Sequence, residues 1–366
     1  MSSLHSADRR AWWMSAAAMA AWLVAATIGQ HWGRVAEHWE SAVTMLFGSF
    51  LAGSSPEGGG AVAFPVFTKG LDVPGPVART FGLSIQAVGM TVAAAAILIT
   101  RRPIHARATV IAAGAGVLGL LVGLVALGES DQVFWPSTIP TQWVKATFSI
   151  VLATTSVMMI RHLRRGEVDH SPQAWTQRHD VGLGVAAVLG GGLASMTGTG
   201  ANIIVFLFLV LLADVNPKTA LASAVIVMAV VSVAGTIVLG IVDGQLAVSL
   251  EAGRVVQVGS DTVDLRADRN DLFGLWFAAA PVVVWGAPLG SWVADRVREA
   301  HLVAFVAVLA AAEVLTTAVL VEELRSEGPL VVYLAAGLVL APLGMVWMRS
   351  RRALIFAGTQ TGSGAS

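Results

Sequence analysis

The stretch Gly53-Ser54-Ser55-Pro56-Glu57-Gly58-Gly59-Gly60 interrupts one apolar run, and Ser195-Met196-Thr197-Gly198-Thr199-Gly200-Ala201-Asn202 interrupts another. At a fixed offset of 142 residues, 48–78 lies over 190–220 without a gap. Identities fall at Gly48/Gly190, Leu51/Leu193, Ala52/Ala194, Gly58/Gly200, Phe64/Phe206, Asp72/Asp214, Val73/Val215 and Ala78/Ala220. Broken hydrophobic segments at corresponding places in two halves of a membrane protein point to a transport site. Helix ends inside the bilayer carry N–H groups that lack intrahelical partners, and these attract anions.

Working outward, the rest of the chain is apolar almost throughout. It is 55% hydrophobic and 13% charged over 366 residues, against about 25% charge in a soluble domain. Full spans read at 11–29, 77–99, 106–127, 142–160, 218–240, 272–294, 301–321 and 329–348, each near the roughly 20 residues that a bilayer core requires. The run behind Arg9-Arg10 is too long for the hydrophobic region of a signal peptide and reads as a first span. Two broken elements remain, 42–68 and 181–212. Most Trp residues sit near segment ends, as at an interfacial belt. Net charge is zero and no basic block suggests nucleic acid. Cysteine is absent, which removes thiolate chemistry and disulfides.

Charge decides how the broken elements lie. With a cytoplasmic N-terminus and both elements dipping in as re-entrant hairpins, fifteen of the 23 Lys and Arg fall on the cytoplasmic side. If both elements crossed, Arg101, Arg102, Arg107 and the Arg161–Arg165 cluster would move outside, against the positive-inside rule. The fold expected is therefore an all-α polytopic membrane protein with an inverted repeat of a re-entrant helical hairpin plus three spans. Its parts are an N-terminal transmembrane helix (1–41), repeat one (42–165), repeat two (181–321), a C-terminal transmembrane helix (329–352) and a tail (353–366). Both termini are then cytoplasmic. The polar insertion 241–271 alternates at 245–250 and 254–258, which predicts a small extracytoplasmic β-hairpin, of unreadable role.

Three strings carry a family resemblance: Gly58-Gly59-Gly60-Ala61-Val62-Ala63-Phe64-Pro65-Val66, the run from Pro76-Val77-Ala78-Arg79-Thr80-Phe81 to Gln86-Ala87-Val88-Gly89-Met90, and Gly286-Ala287-Pro288-Leu289-Gly290-Ser291. Across about 42–321 the chain resembles the sulfite exporter TauE/SafE family, within the toluene-sulfonate uptake permease superfamily. The second break departs from the family pattern, reading Gly200-Ala201-Asn202 where a glycine run is commoner. The resemblance implies a bacterial inner-membrane carrier of small sulfur-containing or organic anions, exporting sulfite or organosulfonates. The cargo varies across the family and does not carry over.

The candidate binding residues follow from local chemistry. Arg79 opens the span 77–99, where a cation opposes the helix dipole and an anion bound beside it would relieve the conflict. Snorkelling, or pairing with Asp72, is the alternative. Gln86, seven residues on, lies on the same helix face as a neutral donor. Gly58, Gly59, Gly60 and Gly200 let an anion approach the backbone closely, while Thr197, Thr199 and Asn202 add hydroxyl and amide donors. Tight helix packing is the plainer role for these glycines. Glu57 fits a Ser54-x-x-Glu57 capping box, with a proton-coupling acid as the other reading. Glu313, in mid-span, is expected to be neutral or partnered, with a proton relay open. Lys218 is either a cytoplasmic anion gate or an anchor. No His pair has metal spacing, and no nucleophile elbow, zinc motif or nucleotide loop is present. No cofactor or catalytic residue is expected. The expected partners are a small anion, the lipid bilayer and protons as an open choice of coupling ion, with oligomeric state unread. A passive anion channel and an intramembrane enzyme or sulfur-relay protein are the rival classes.

Overall fold

The computed structural model describes residues 6–128, 138–164, 175–248, 255–258, 261–264, 271–294 and 296–356. Helix α1 (Ser6–Ile28) and the short α2 (Trp32–Glu37) lead into α3 (Trp39–Ser54). Ser55 then turns extended, at φ −139° and ψ 156°, because the ring of Pro56 excludes helical geometry from the residue before it. The chain resumes as α4 (Gly60–Pro65), widens into a π-helical turn at Val66–Gly70, and enters α5 (Gly75–Ile99), α6 (Ala106–Leu127) and α7 (Thr141–Arg164). The second half repeats this order. Helix α8 (Gln177–Thr197) stops at Gly198, whose φ of +77° is left-handed. Then come α9 (Ala201–Leu207), a π turn at Phe208–Leu212, and α10 (Pro217–Gly235), which runs on through Thr236–Val242. After α11 (Gln245–Val248) and the strands β1 (Val255–Val258) and β2 (Asp261–Asp264) come α12 (Leu272–Ala294), α13 (Glu299–Leu320), α14 (Glu323–Ser326) and α15 (Gly328–Phe356).

The 142-residue offset holds in the backbone. Asp72 and Asp214 each take φ +52°. Val73 N–H donates to Phe67 O and Val215 N–H to Leu209 O, both at 2.9 Å. Each π turn is followed by a helix with Pro in its first turn, where the missing N–H costs nothing.

Among the described residues, eight helices are long and apolar enough to cross a membrane: α5, α6, α7, α8, α10 with its extension, α12, Val303–Leu320 of α13, and α15. The chain is thus a multi-pass membrane protein. Helix α1 (Ser6–Ile28) carries the apolar stretch Trp12–Ile28 where the sequence places the span 11–29. One expectation changes. Helix α8, expected as a hairpin arm from 181, begins one turn earlier and reaches 21 residues.

Packing follows the repeat. Helix α3 lies along α12, and α8 along α6, each pair in parallel. Ser41 Oγ donates to Leu275 O at 2.7 Å near the start of the first pair. The Arg107–Asp180 ion pair, at 2.5 Å, joins the start of the second. Backbones touch where glycines allow it: a β-carbon on Gly53 would lie 1.9 Å from Ala287 O, and one on Gly191 2.0 Å from Gly116 O. Such small-residue contacts are how helices pack in lipid, where no hydrophobic force draws them together. Helices α5 and α10, equivalent under the repeat, run antiparallel. Thr80 Oγ1 donates to Gln245 Oε1 at 2.7 Å at one end, and His105 N–H to Ser223 Oγ at 3.0 Å toward the other. We call these the Asp72 face and the Lys218 face. Helix α1 covers α12 through Trp22 Nε1 donating to Phe277 O at 2.9 Å, and α15 covers α7 through Thr147 and Tyr333, also at 2.9 Å.

The insertion differs from its expected form. Gln245–Val248 is helical, and β1 pairs antiparallel with β2, Val255 opposite Asp264 and Val258 opposite Asp261. Residues 249–254 lie outside the described residues. Gln245 is drawn inward, fully buried, so its alternation with its neighbours never became a strand.

Candidate functional site

The two tips abut. A β-carbon on Gly58 would lie 2.6 Å from Asn202 Nδ2 and 3.4 Å from Gln86 Oε1, and one on Gly60 would lie 2.4 Å from Thr199 Cβ. Gly198 presses on the backbone of α5, where its β-carbon would fall 2.4 Å from Arg79 O. Gly59 packs inside its own hairpin, 3.0 Å from Gly48 O by the same measure, and Gly200, at φ +123°, faces Leu193. The structure therefore brings Gly58, Gly60 and Gln86 of the first repeat together with Thr199 and Asn202 of the second.

Several polar groups at this junction have no protein partner. Asn202 is 1% exposed, and neither its oxygen nor its nitrogen makes a hydrogen bond. The same holds for Thr199 Oγ1 and Gln86 Oε1. A buried amide or hydroxyl left unsatisfied costs about 1–3 kcal/mol, so such a cluster calls for a ligand or water. Thr197 differs: its hydroxyl donates to Leu193 O at 3.0 Å or Thr199 O at 2.7 Å and shapes the tip.

Gln86 does not point as its sequence position suggested. Its Nε2 donates to Gly198 O at 2.8 Å and Gly82 O at 3.1 Å. The donor end holds the second tip in place, and the end turned to Gly58 is an acceptor. Arg79 is 2% exposed, and the negative charge of Asp243 acts on it. The expected capping box does not form. Ser54 Oγ donates back to Phe50 O at 2.8 Å, and α4 begins at Gly60 behind the N-cap Gly59 with no side-chain cap. With Ser55 extended, Ser54 is turned away from the N-terminus of α4. Glu57 is buried beside Ser55.

A cavity of about 290 Å³ opens beside the first tip toward the Lys218 face. Its wall takes Gly53–Pro56 from the tip, Phe206 from α9, and Lys218, Leu221, Ala222 and Val225 from α10. Arg102 lines it too, donating through Nη1 to Ser291 Oγ at 2.6 Å and Ser291 O at 2.9 Å. Lys218 is exposed at the mouth. Arg79, Gln86 and Asn202 are not on this wall. Sequence reasoning missed Arg102, which counts there only as a topology charge, and Phe206, whose match to Phe64 was the available signal.

Glu313 is partnered, as one branch of its reading allowed. Lys69 Nζ lies 2.5 Å from its Oε1 and 2.6 Å from Thr317 Oγ1, and Ser149 Oγ donates to the same carboxylate at 3.0 Å. The sequence position of Lys69 marks it only as an outer-side charge.

Paired broken helices, meeting tip to tip beside a cavity in a multi-pass helical bundle, define the class: a membrane transporter. The sulfite exporter TauE/SafE family model matches residues 41–317, and the chain belongs to that family. No curated protein and no solved structure matches it.

Proposed function

We propose that the protein is a secondary carrier of small sulfur-containing or organic oxyanions, sulfite or an organosulfonate, moving them outward across a bacterial inner membrane with both chain termini in the cytoplasm. The observation that carries this reading is the unsatisfied Asn202 and Thr199 at the junction of the two tips, next to an open cavity with Lys218 and Arg102 at its edge. The antiparallel α5 and α10 support an inverted repeat, and the return of each broken element to the end from which it started supports re-entrant hairpins. Substrate would enter from the Lys218 face, drawn by its cations. It would dock on the Thr199 hydroxyl, the Asn202 amide and the N–H groups of Gly58–Gly60 and Gly200, with Gln86 fixing the tip. Arg79 would supply charge from the far side. Glu57 and Glu313 are the acids available for proton coupling.

Asn202→Leu tests this, because leucine keeps the branched four-atom outline of the side chain and removes both unsatisfied groups. In proteoliposomes the parent should show saturable, trans-stimulated sulfite flux, and the variant at least a tenfold lower flux with equal or higher thermal stability. Flux unchanged in the more stable variant would sink the reading. Non-saturating ohmic current in the parent would make it a channel.

A further inference from the structure

Exchanging the repeats maps the cavity wall onto the other side of the junction. Pro56 becomes Gly198, Phe206 becomes Phe64, Leu221 becomes Arg79, Ala222 becomes Thr80 and Val225 becomes Leu83, all at the 142-residue offset. The image of the open gap between Pro56 and Leu221 is the contact of Gly198 with Arg79. On one side there is room for a ligand; on the other a single added carbon would overlap the Arg79 carbonyl. The backbones are equivalent, so nothing in the fold itself forbids either side from opening.

We infer that the protein holds a second oxyanion cavity on the Asp72 face, lined by Phe64, Arg79, Thr80, Leu83, Thr197 and Gly198 and shut in the present state. The inference rests on the carrier reading and extends it by naming the wall that receives the anion in the opposite-facing state. Three features support it. First, the seam is fastened by side chains rather than by shared backbone structure. Thr80 Oγ1 donates to Gln245 Oε1 at 2.7 Å, Gln245 Nε2 donates to Asp243 Oδ2 at 2.7 Å, and the charge of Asp243 acts on Arg79.

Second, the open side lacks this fastening at the equivalent positions. Leu221 and Ala222 stand where Arg79 and Thr80 stand, and neither carries a polar side chain. The two faces thus differ at the residues that would hold a gate closed. Third, each wall has its own cation, at different positions. Lys218 on the open wall maps to Pro76, and Arg79 on the shut wall maps to Leu221. An anion crossing the junction would pass from Lys218 and Arg102 to Arg79, and the approach of the anion to Arg79 would compete with Asp243 and loosen the fastening.

The chain has no cysteine, so a single introduced thiol reports its own accessibility. Leu221→Cys and Leu83→Cys would be labelled with a membrane-impermeant maleimide in right-side-out and inverted vesicles, with labelling after denaturation as the measure of inserted protein. The expected result is labelling of the first from one face only and of the second from the opposite face only. Adding Gln245→Ala should raise labelling of Leu83→Cys at least tenfold and lower that of Leu221→Cys. Labelling of both positions from the same face, no labelling of Leu83→Cys with or without Gln245→Ala, or a parallel rise at both would overturn the second cavity. Protection of the two thiols by sulfite addresses the cargo alone. Reciprocal labelling without protection removes sulfite as substrate and leaves the second cavity standing.

Discussion

The arm that leaves the first tip ends in Lys69, locked onto Glu313, whereas the arm that leaves the second has Leu211 at the matching place, fully buried among apolar neighbours. Around these two residues the backbones agree: the same π turn, the same left-handed aspartate, the same proline-led helix. At the tips the pattern repeats. Glu57 stands opposite Thr199, and Gly60 opposite Asn202. Shape is set by the Gly and Asp positions that both halves share, with a proline in the first turn of each following helix, and the charges laid over that shape differ: Glu57, Lys69 and Arg79 in the first half, Lys218 in the second. A carrier built from two equivalent halves would have no preferred state; these charges are where a preference can reside.

Copying one half into the other tests that division. The largest effect is expected at the ion pair. Lys69→Leu reproduces the second half but leaves Glu313 buried with only Ser149 and Thr317 to satisfy it. Breaking a buried pair by removing one partner costs about 3–5 kcal/mol. Glu313→Leu should cost as much, and the double variant far less than the sum, since the second half tolerates an apolar residue there. Thermal unfolding in detergent reads the cycle. Additive losses would mean that the pair is not a coupled unit and that the asymmetry lies elsewhere.

The ion pair also marks where the sequence stopped being readable. Six of the spans read from hydropathy agree with the helices to within a few residues, because each is a long apolar run with polar ends. Helix α8 starts one turn before the apolar run because its first turn, Gln177-Arg178-His179-Asp180, is polar and hydropathy does not register it. In the folded protein Gly191 is what lets α8 reach the α6 backbone. The doubling at 142 residues was legible because glycine and aspartate positions record backbone geometry directly. The partners of buried charges were not: Lys69 and Glu313 are 244 residues apart, and the negative charge of Asp243, 164 positions from Arg79 in the sequence, acts on it. Gln86 was legible as a polar residue facing the site, but which end of its amide faces Gly58 depends on two carbonyls supplied by the fold.

A middling effect is expected where the two hairpins dock on their spans. Gly53 maps to Ser195, yet the exchange is not free. A β-carbon on Gly53 would meet Ala287 O at 1.9 Å and Ser291 N at 2.6 Å, both backbone atoms. On the other side it is the span that yields, since Gly123 leaves room for Ser195 Oγ, 2.2 Å from where its own β-carbon would be. Gly53→Ser and Gly123→Ala should each destabilise by about 3 kcal/mol, the upper end of what overpacking costs. A neutral Gly53→Ser would show that α3 can slide on α12 and that the contact is not a fixed dock.

The smallest effect has the opposite sign. Gly184 in α8 maps to Ala42 in α3, and a β-carbon there would meet nothing within 4 Å. The backbone at Gly184 is helical, so alanine can adopt it without strain. Gly184→Ala should then stabilise by about 0.5–1 kcal/mol, chiefly by restricting the unfolded chain. The same substitution isolates motion from packing. If the second hairpin flexes at Gly184 when the cavity changes sides, alanine will slow anion exchange while raising the unfolding temperature. If the hairpin moves as a rigid unit, stability will rise and exchange will stay as it was. Only the first outcome would place a functional difference between the hairpins in their backbones as well as in their charges.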